Sequence, residues 1–88
     1  MPEISRFYGL IVYMQYHDNK QHSKPHVHVY YSDYTASVGL DGELLAGELP
    51  RKQWNLLIAW LSIHEEELYA AWNSAVCGNA FGKIDPLK

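Results

Sequence analysis

The stretch HVHVYYSDYTASVGLDGELLAGEL, residues 26–49, carries the strongest fold signal in the chain. It alternates between the two faces of an extended chain and is interrupted by two short turn signals, SD at residues 32–33 and DG at residues 41–42. Alternating runs joined by two-residue turns are typical of β-hairpins, because the chain reverses and pairs with itself. We therefore predict successive strands of an antiparallel meander in this stretch.

The residues before this stretch extend the predicted sheet. The segment RFYGLIVYMQY, residues 6–16, carries β-branched and aromatic side chains on both alternating faces, which is typical of a strand in the middle of a sheet. The polar run HDNKQHSKP, residues 17–25, ends in proline and is predicted to be a loop. With the strands that follow, the sequence predicts a four-stranded, mostly antiparallel sheet.

A helical periodicity begins at Pro50, which suits the first turn of a helix because its missing N–H needs no partner there. Apolar residues then recur every three or four positions, which is typical of an amphipathic helix, and Gly78 is a predicted helix stop. The pattern predicts one helix over residues 50–76. At the usual rise per residue this helix is about 40 Å long.

Such a helix is longer than the sheet it must cover. We expect it either to bend near Ser62 and His64 or to pack its far end, with Trp72, against a second subunit. The last residues, FGKIDPLK at 81–88, carry enough apolar side chains for an extended tail to dock. The predicted fold class is α+β: a four-stranded, mostly antiparallel meander, one long C-terminal helix packed across it, and a docked extended tail.

The composition is that of a chain that forms a core, with 48% apolar residues in a chain of 88. This length predicts a single domain over residues 1–88. A formal net charge of −3 argues against binding to nucleic acid through charge alone, because proteins held by phosphate contacts usually carry a basic patch. With one cysteine, Cys77, and no signal-like or membrane-spanning stretch, we expect a complete cytoplasmic protein that does not bind membranes.

Two histidines stand one residue apart at the start of this stretch. His26 and His28 share one face of an extended chain, and two imidazoles at this spacing are a recurring way to hold a metal ion. A divalent transition metal such as zinc needs a further ligand, which we expect from His17 in the preceding loop, near Asp18 and His22. The predicted metal ligands are therefore His26, His28 and His17.

A third candidate histidine lies on the predicted helix. His64 falls in phase with the apolar stripe that should face the sheet. If the helix covers the face of His26 and His28, the three histidines form a catalytic cluster that works by general acid or base chemistry. If it covers the face of Val27 and Val29, as the strand pattern favours, His64 cannot join them. The alternative is solvated strand histidines and a core histidine that hydrogen-bonds helix to sheet.

Several stretches together resemble one family, the domain of unknown function numbered 4160 (DUF4160). They are MPEISRFYGLIVYM, KPHVHVYY, DGELLAGELPRKQ, WLSIHEEELYAAW and KIDPL, in this order. The family's proline and two strand histidines correspond to Pro25, His26 and His28, and its helical histidine and later tryptophan correspond to His64 and Trp72. The loop HDNKQHSK departs from the pattern, because it is longer than the family's usual run before the proline.

The resemblance implies a role in a two-protein system. Members of this family are often small stand-alone bacterial proteins encoded beside another small domain, an arrangement that resembles toxin–antitoxin pairs. We therefore predict a toxin or antitoxin component that acts through a small partner protein encoded nearby, with the histidines as its candidate site. Two other classes stay open: a metal-binding or metal-dependent hydrolytic domain, and a non-catalytic protein-binding module, alone or as a homo-oligomer, that uses a sheet edge and the region of Trp72.

Overall fold

The computed structural model describes residues 3–14, 24–78 and 82–87. Within these residues the chain forms one antiparallel sheet, whose strands stand in chain order, and two helices. The strands are β1 (Glu3–Phe7), β2 (Leu10–Tyr13), β3 (His26–Tyr31), β4 (Tyr34–Gly39) and β5 (Leu44–Gly47), and the helices are α1 (Arg51–Ile63) and α2 (Glu65–Val76).

The antiparallel meander predicted from the turn signals is confirmed, but the described sheet has five strands and not four. The difference lies at Tyr8 and Gly9, whose φ angles of 48° and 83° form a tight turn. Two consecutive residues with positive φ match the twist of a hairpin, and Phe7 consequently lies opposite Leu10. The prediction of a single central strand over residues 6–16 is therefore wrong, because the described part of this run belongs to β1 and β2, which pair with each other.

The prediction of one continuous helix over residues 50–76 is also wrong. α1 and α2 are separated at His64, whose φ of −108° and ψ of 22° leave the helical region, so the bend predicted near Ser62 and His64 is confirmed. Three glutamates, residues 65–67, fill the first turn of α2, where negative charge interacts favourably with the helix dipole and favours a new helix start.

In the described part of the chain, neither helix is long and apolar enough to cross a bilayer.

The helices cover the face of the sheet that carries the strand valines. Cross-strand partners share a face, and Val12 lies opposite Val29, which in turn lies opposite Ala36. These three side chains are buried in one apolar core together with Leu57 and Trp60 of α1. The strand pattern therefore predicted the covered face correctly.

The C-terminal tail docks on the sheet edge formed by β1. The backbone N–H of Ile84 donates to the carbonyl oxygen of Ile4 at 2.8 Å, and the indole N–H of Trp60 donates to the carbonyl oxygen of Asp85 at 2.8 Å. Ile84 is itself part of the buried core. The predicted docked tail is thereby confirmed for the portion of it that the structure describes.

Candidate functional site

His28 and Ser37 form a hydrogen-bonded pair on adjacent strands. The turn at residues 32–33 joins β3 to β4 in a register that places His28 directly opposite Ser37. The Nδ1 atom of His28 lies 3.2 Å from the Oγ atom of Ser37. His28 is half-buried and Ser37 is buried, so the contact is largely screened from bulk water and is electrostatically stronger than a surface contact.

The position of one proton decides what this pair can do. When Nδ1 of His28 carries no proton, the hydroxyl of Ser37 donates to it, and the imidazole is then able to take that proton away. The Nε2 atom of His28 is buried. Nδ1 is the nitrogen of this ring that lies within hydrogen-bond distance of the serine.

A shallow groove of about 180 Å³ lies at this pair, on the sheet face opposite the buried valines. Tyr30 forms part of its wall, is 39% exposed and stands 5.2 Å from the ring of Tyr13, centroid to centroid. A small ligand in the groove therefore reaches the paired histidine and serine. The lining residues are His28, Tyr30, Thr35, Ala36, Ser37, Ala46 and Gly47.

His26 lies next to the pair and is fully buried. Its Nδ1 lies 2.9 Å from the carbonyl oxygen of Lys24; because a carbonyl only accepts, Nδ1–H is the donor, and in the neutral ring the lone pair is on Nε2. The His26 ring is 5.1 Å from that of His28 and 5.2 Å from that of Trp72, centroid to centroid. Trp72 is only 6% exposed and anchors α2 to β3, and the protein contact predicted for its region stays a prediction.

His64 lies apart from this pair, at the junction of α1 and α2. Its Nδ1 is 2.7 Å from Oε1 of Glu67, and its ring centroid is 5.7 Å from that of Trp60. Its partners do not include His26 or His28, and the described residues hold no group of three or more His, Cys, Asp or Glu side chains that could bind a metal ion. The structure thus brings the two strand histidines together without His64, and the catalytic roles predicted for the three stay predictions.

The predicted third metal ligand falls in the loop before β3. His17, with its neighbours Asp18 and His22, lies outside the described residues. The metal site predicted from His26, His28 and His17 therefore stays a prediction, of which the structure describes the two strand ligands.

An ion-pair cluster fixes the chain at the entry to β3. The ammonium group of Lys24 donates to Oδ2 of Asp41 at 2.8 Å and to Oε1 of Glu43 at 2.7 Å. The hydrogen bond from Lys24 lowers the pKa of the Asp41 carboxyl, and the hydrogen bonds to Asp41 and Glu43 raise the pKa of the Lys24 ammonium. Because the carbonyl of Lys24 also holds the ring of His26, this cluster helps to orient that imidazole.

The sequence reasoning missed Ser37 and Lys24. A signal for Ser37 was present, because counting outward from the turn at residues 32–33 places residue 37 opposite His28. No comparable signal exists for Lys24, whose carboxylate partners come from the turn after β4 and lie far away in the sequence.

The chain is similar to one known protein family. No curated protein and no solved structure matches it. The model of the family described as a domain of unknown function, DUF4160, matches residues 9–73, which is well over half of the chain and includes His26, His28 and Ser37. The resemblance seen in the sequence is thereby confirmed, and the chain belongs to the DUF4160 family.

Proposed function

We propose that the chain is the toxin component of a two-protein bacterial module of the toxin–antitoxin kind, and that its reactive centre is the pair of His28 and Ser37. The observation that carries the proposal is the 3.2 Å contact between Nδ1 of His28 and Oγ of Ser37 at a groove in the sheet. The two-protein arrangement is supported by the family resemblance, which implies that a second small protein is encoded beside the chain.

In this centre Ser37 is the nucleophile and His28 is its base. The Oγ atom of Ser37 attacks an acyl or phosphoryl centre in the groove, its O–H bond breaks, and the proton moves to Nδ1 of His28. The bond between that centre and its leaving group then breaks, the same nitrogen gives the proton to the leaving group, and the acyl or phosphoryl group stays bonded to Oγ of Ser37. Histidine suits both steps, because the unperturbed pKa of its side chain lies close to neutrality.

The groove offers the substrate both an aromatic surface and hydroxyl groups. The ring of Tyr30 is partly exposed and is held by its contact with Tyr13. The side chains of Thr35 and Ser37 contribute hydroxyl groups to the same groove. A flat group of the substrate therefore packs on Tyr30 while its reactive atom lies beside Ser37.

Induced expression in a bacterial host tests this proposal. Wild type and His28→Ala are expressed at matched levels, with and without the small protein encoded beside the chain. Growth arrest that requires His28 and is relieved by the neighbour supports the proposal. Normal growth with the wild type, or equal arrest with His28→Ala, contradicts it. Ile63→Ala, which changes a residue of α1 that is 65% exposed, is the control expected to behave as wild type.

A metal site at the two strand histidines is the second candidate, and the orientation of His26 favours it. Its Nδ1–H is held by a backbone carbonyl, which is the usual way in which proteins orient a metal-binding imidazole. Nε2 of His26 then carries the lone pair that a transition metal such as zinc would bind, with His28 as second ligand and His17 as the predicted third.

Elemental analysis of dialysed protein separates the two candidates. One equivalent of a transition metal in the wild type, lost in the double variant His26→Ala/His28→Ala, supports the metal site. Wild-type protein that arrests growth and contains no metal after purification contradicts the metal site and favours the pair of His28 and Ser37.

A further inference from the structure

The two edges of the sheet differ in what covers them. On the β1 side the tail closes the edge, because the N–H of Ile84 donates to the carbonyl oxygen of Ile4 at 2.8 Å. On the other side β5 is the outermost strand, and no strand of the described residues lies beyond it. An outer strand of this kind is a template to which another extended chain can pair.

The main-chain groups of β5 that face outward follow from its pairing with β4. The carbonyl oxygen of Glu43 and the N–H of Glu48 are hydrogen-bonded to backbone atoms of β4. Because successive residues of a strand point their main-chain groups to opposite sides, those of Leu44, which follows Glu43 directly, point to the outer edge. The register shift between Ser37 and Val38 changes this alternation before Glu48. Leu44 therefore offers one donor and one acceptor to an added strand.

The side chains of β5 also favour an added strand. Leu44 is 45% exposed although it lies opposite the fully buried Val38. A strand placed beside β5 covers this apolar side chain. Two other residues of β5, Ala46 and Gly47, line the groove described above, so an added strand also borders that groove.

The charged residues on either side of β5 indicate whether a second copy of the chain or a different protein pairs with this strand. β5 lies between Glu43 and Glu48. If two copies paired antiparallel about the centre of β5, Glu43 of each copy would lie opposite Glu48 of the other, and like charges directly opposite are destabilising. Lys24 does not remove this conflict, because its single ammonium group is shared between Asp41 and Glu43. A partner strand with basic residues at these two positions instead forms favourable pairs.

We propose that the partner protein docks by adding an extended antiparallel segment to the outer edge of β5, with a lysine or arginine opposite each of Glu43 and Glu48. This inference rests on the proposed two-protein function and names the chemistry of the partner. Docking at this edge places the partner beside the groove of His28 and Ser37, from where it controls access to the reactive pair.

The docking test uses the full chain and two short synthetic peptides of alternating valine and threonine. One peptide carries lysine at both ends and the other carries glutamate. In an NMR titration of the ¹⁵N-labelled protein, the lysine peptide should shift amide signals of β4 and β5 and bind at least about fivefold more tightly than the glutamate peptide. Equal affinity for the two peptides, or shifts away from β4 and β5, would overturn the proposal.

Three variants locate the interaction. Glu48→Lys should weaken binding of the lysine peptide and strengthen binding of the glutamate peptide. Leu44→Lys should abolish binding of the lysine peptide, since it removes an apolar contact and adds a like charge. Ile63→Lys, which changes an exposed apolar residue of α1, is the matched control and should leave the affinity unchanged. An affinity that neither Glu48→Lys nor Leu44→Lys alters would overturn the proposal.

The peptide titration and the growth assay distinguish a failure of the docking inference from a failure of the proposed function. If the wild type arrests growth in a manner that needs His28 but neither peptide binds at β5, the docking inference fails and the proposed function stands. If the lysine peptide binds at β5 and the wild type leaves growth unchanged, the proposed function fails and the docking surface stands.

Discussion

The Oγ atom of Ser37 lies 3.2 Å from the Nδ1 atom of His28, across one rung of the ladder between β3 and β4. Both residues stand on strands inside the sheet, with a further strand on either side of their pair of strands. A site built on strands keeps its geometry better than a site built on loops, because the backbone ladder holds both side chains in place. The backbone ladder therefore fixes the geometry of the pair without a ligand in the groove.

His26→Ala should destabilise the fold. The side chain is fully buried, donates to the carbonyl oxygen of Lys24 and packs against Trp72. Its removal leaves a cavity and a carbonyl without its partner, so we expect the free energy of unfolding to fall by about 2–4 kcal/mol in urea denaturation. Glu66→Ala, at an exposed position of α2, should change it by less than about 0.5 kcal/mol. Similar losses for the two variants would contradict the buried position of His26.

Gly47→Ala should cost more stability than one added methyl group suggests. Gly47 has a φ of 76°, and a β-carbon at this position would overlap with the carbonyl oxygen of Thr35. The end of β5 has to move away from β4 to relieve the overlap, and we expect the free energy of unfolding to fall by about 2 kcal/mol or more. Gly82→Ala is the control, since a β-carbon there has no neighbour within 4 Å. Equal urea midpoints for the two variants would show that the strands do not approach so closely.

Lys24 should keep the Asp41 carboxyl ionised to a lower pH than an ordinary aspartate. The hydrogen bond from Lys24 lowers the pKa of Asp41, so the stabilisation from this contact is present above the ordinary aspartate pKa and is lost as the pH falls through the lowered value. In an NMR titration of the Asp41 carboxyl carbon, Lys24→Met should raise the pKa of Asp41, whereas Lys52→Met should leave it unchanged. A pKa that stays the same in Lys24→Met would argue against the ion pair.

Trp60→Phe should loosen the tail and leave the core largely filled. The indole N–H of Trp60 donates to the carbonyl oxygen of Asp85 at 2.8 Å, and the ring packs 5.2 Å from that of Phe7. Phenylalanine keeps an aromatic ring but lacks the donor, so we expect a loss of about 1–3 kcal/mol in the free energy of unfolding. Amide hydrogen exchange at Ile84, whose N–H donates to Ile4, should become faster. An unchanged exchange rate at Ile84 would mean that this indole does not hold the tail.

Most of the sheet could be predicted because its turns carry strong local signals. The turns at residues 32–33 and 41–42 stand between alternating runs, and the structure places both between paired strands. The hairpin of β1 and β2 was not predicted because its turn begins at Tyr8. A bulky residue rarely adopts the positive φ seen there. Gly9 alone is a weak signal, since a glycine also occurs inside strands.

The candidate site was only partly visible in the sequence. Strand alternation placed His26 and His28 on one face, and the hairpin register contained the information that places Ser37 opposite His28. The position of His64 depends on the break between the helices, which directs its ring to Glu67 and Trp60 instead of the strand histidines. Helical periodicity assumes a continuous helix, so it could not predict this direction.

Growth arrest compared among wild type, His28→Ala, Ser37→Ala and the double variant tests most directly whether these two residues act as one reactive unit. Each protein is expressed at the same level and its fold is checked by circular dichroism. Residues that act as a unit are strongly non-additive, so we predict that each single variant loses as much activity as the double variant. Arrest retained by either single variant, or no arrest with the wild type, would contradict the account.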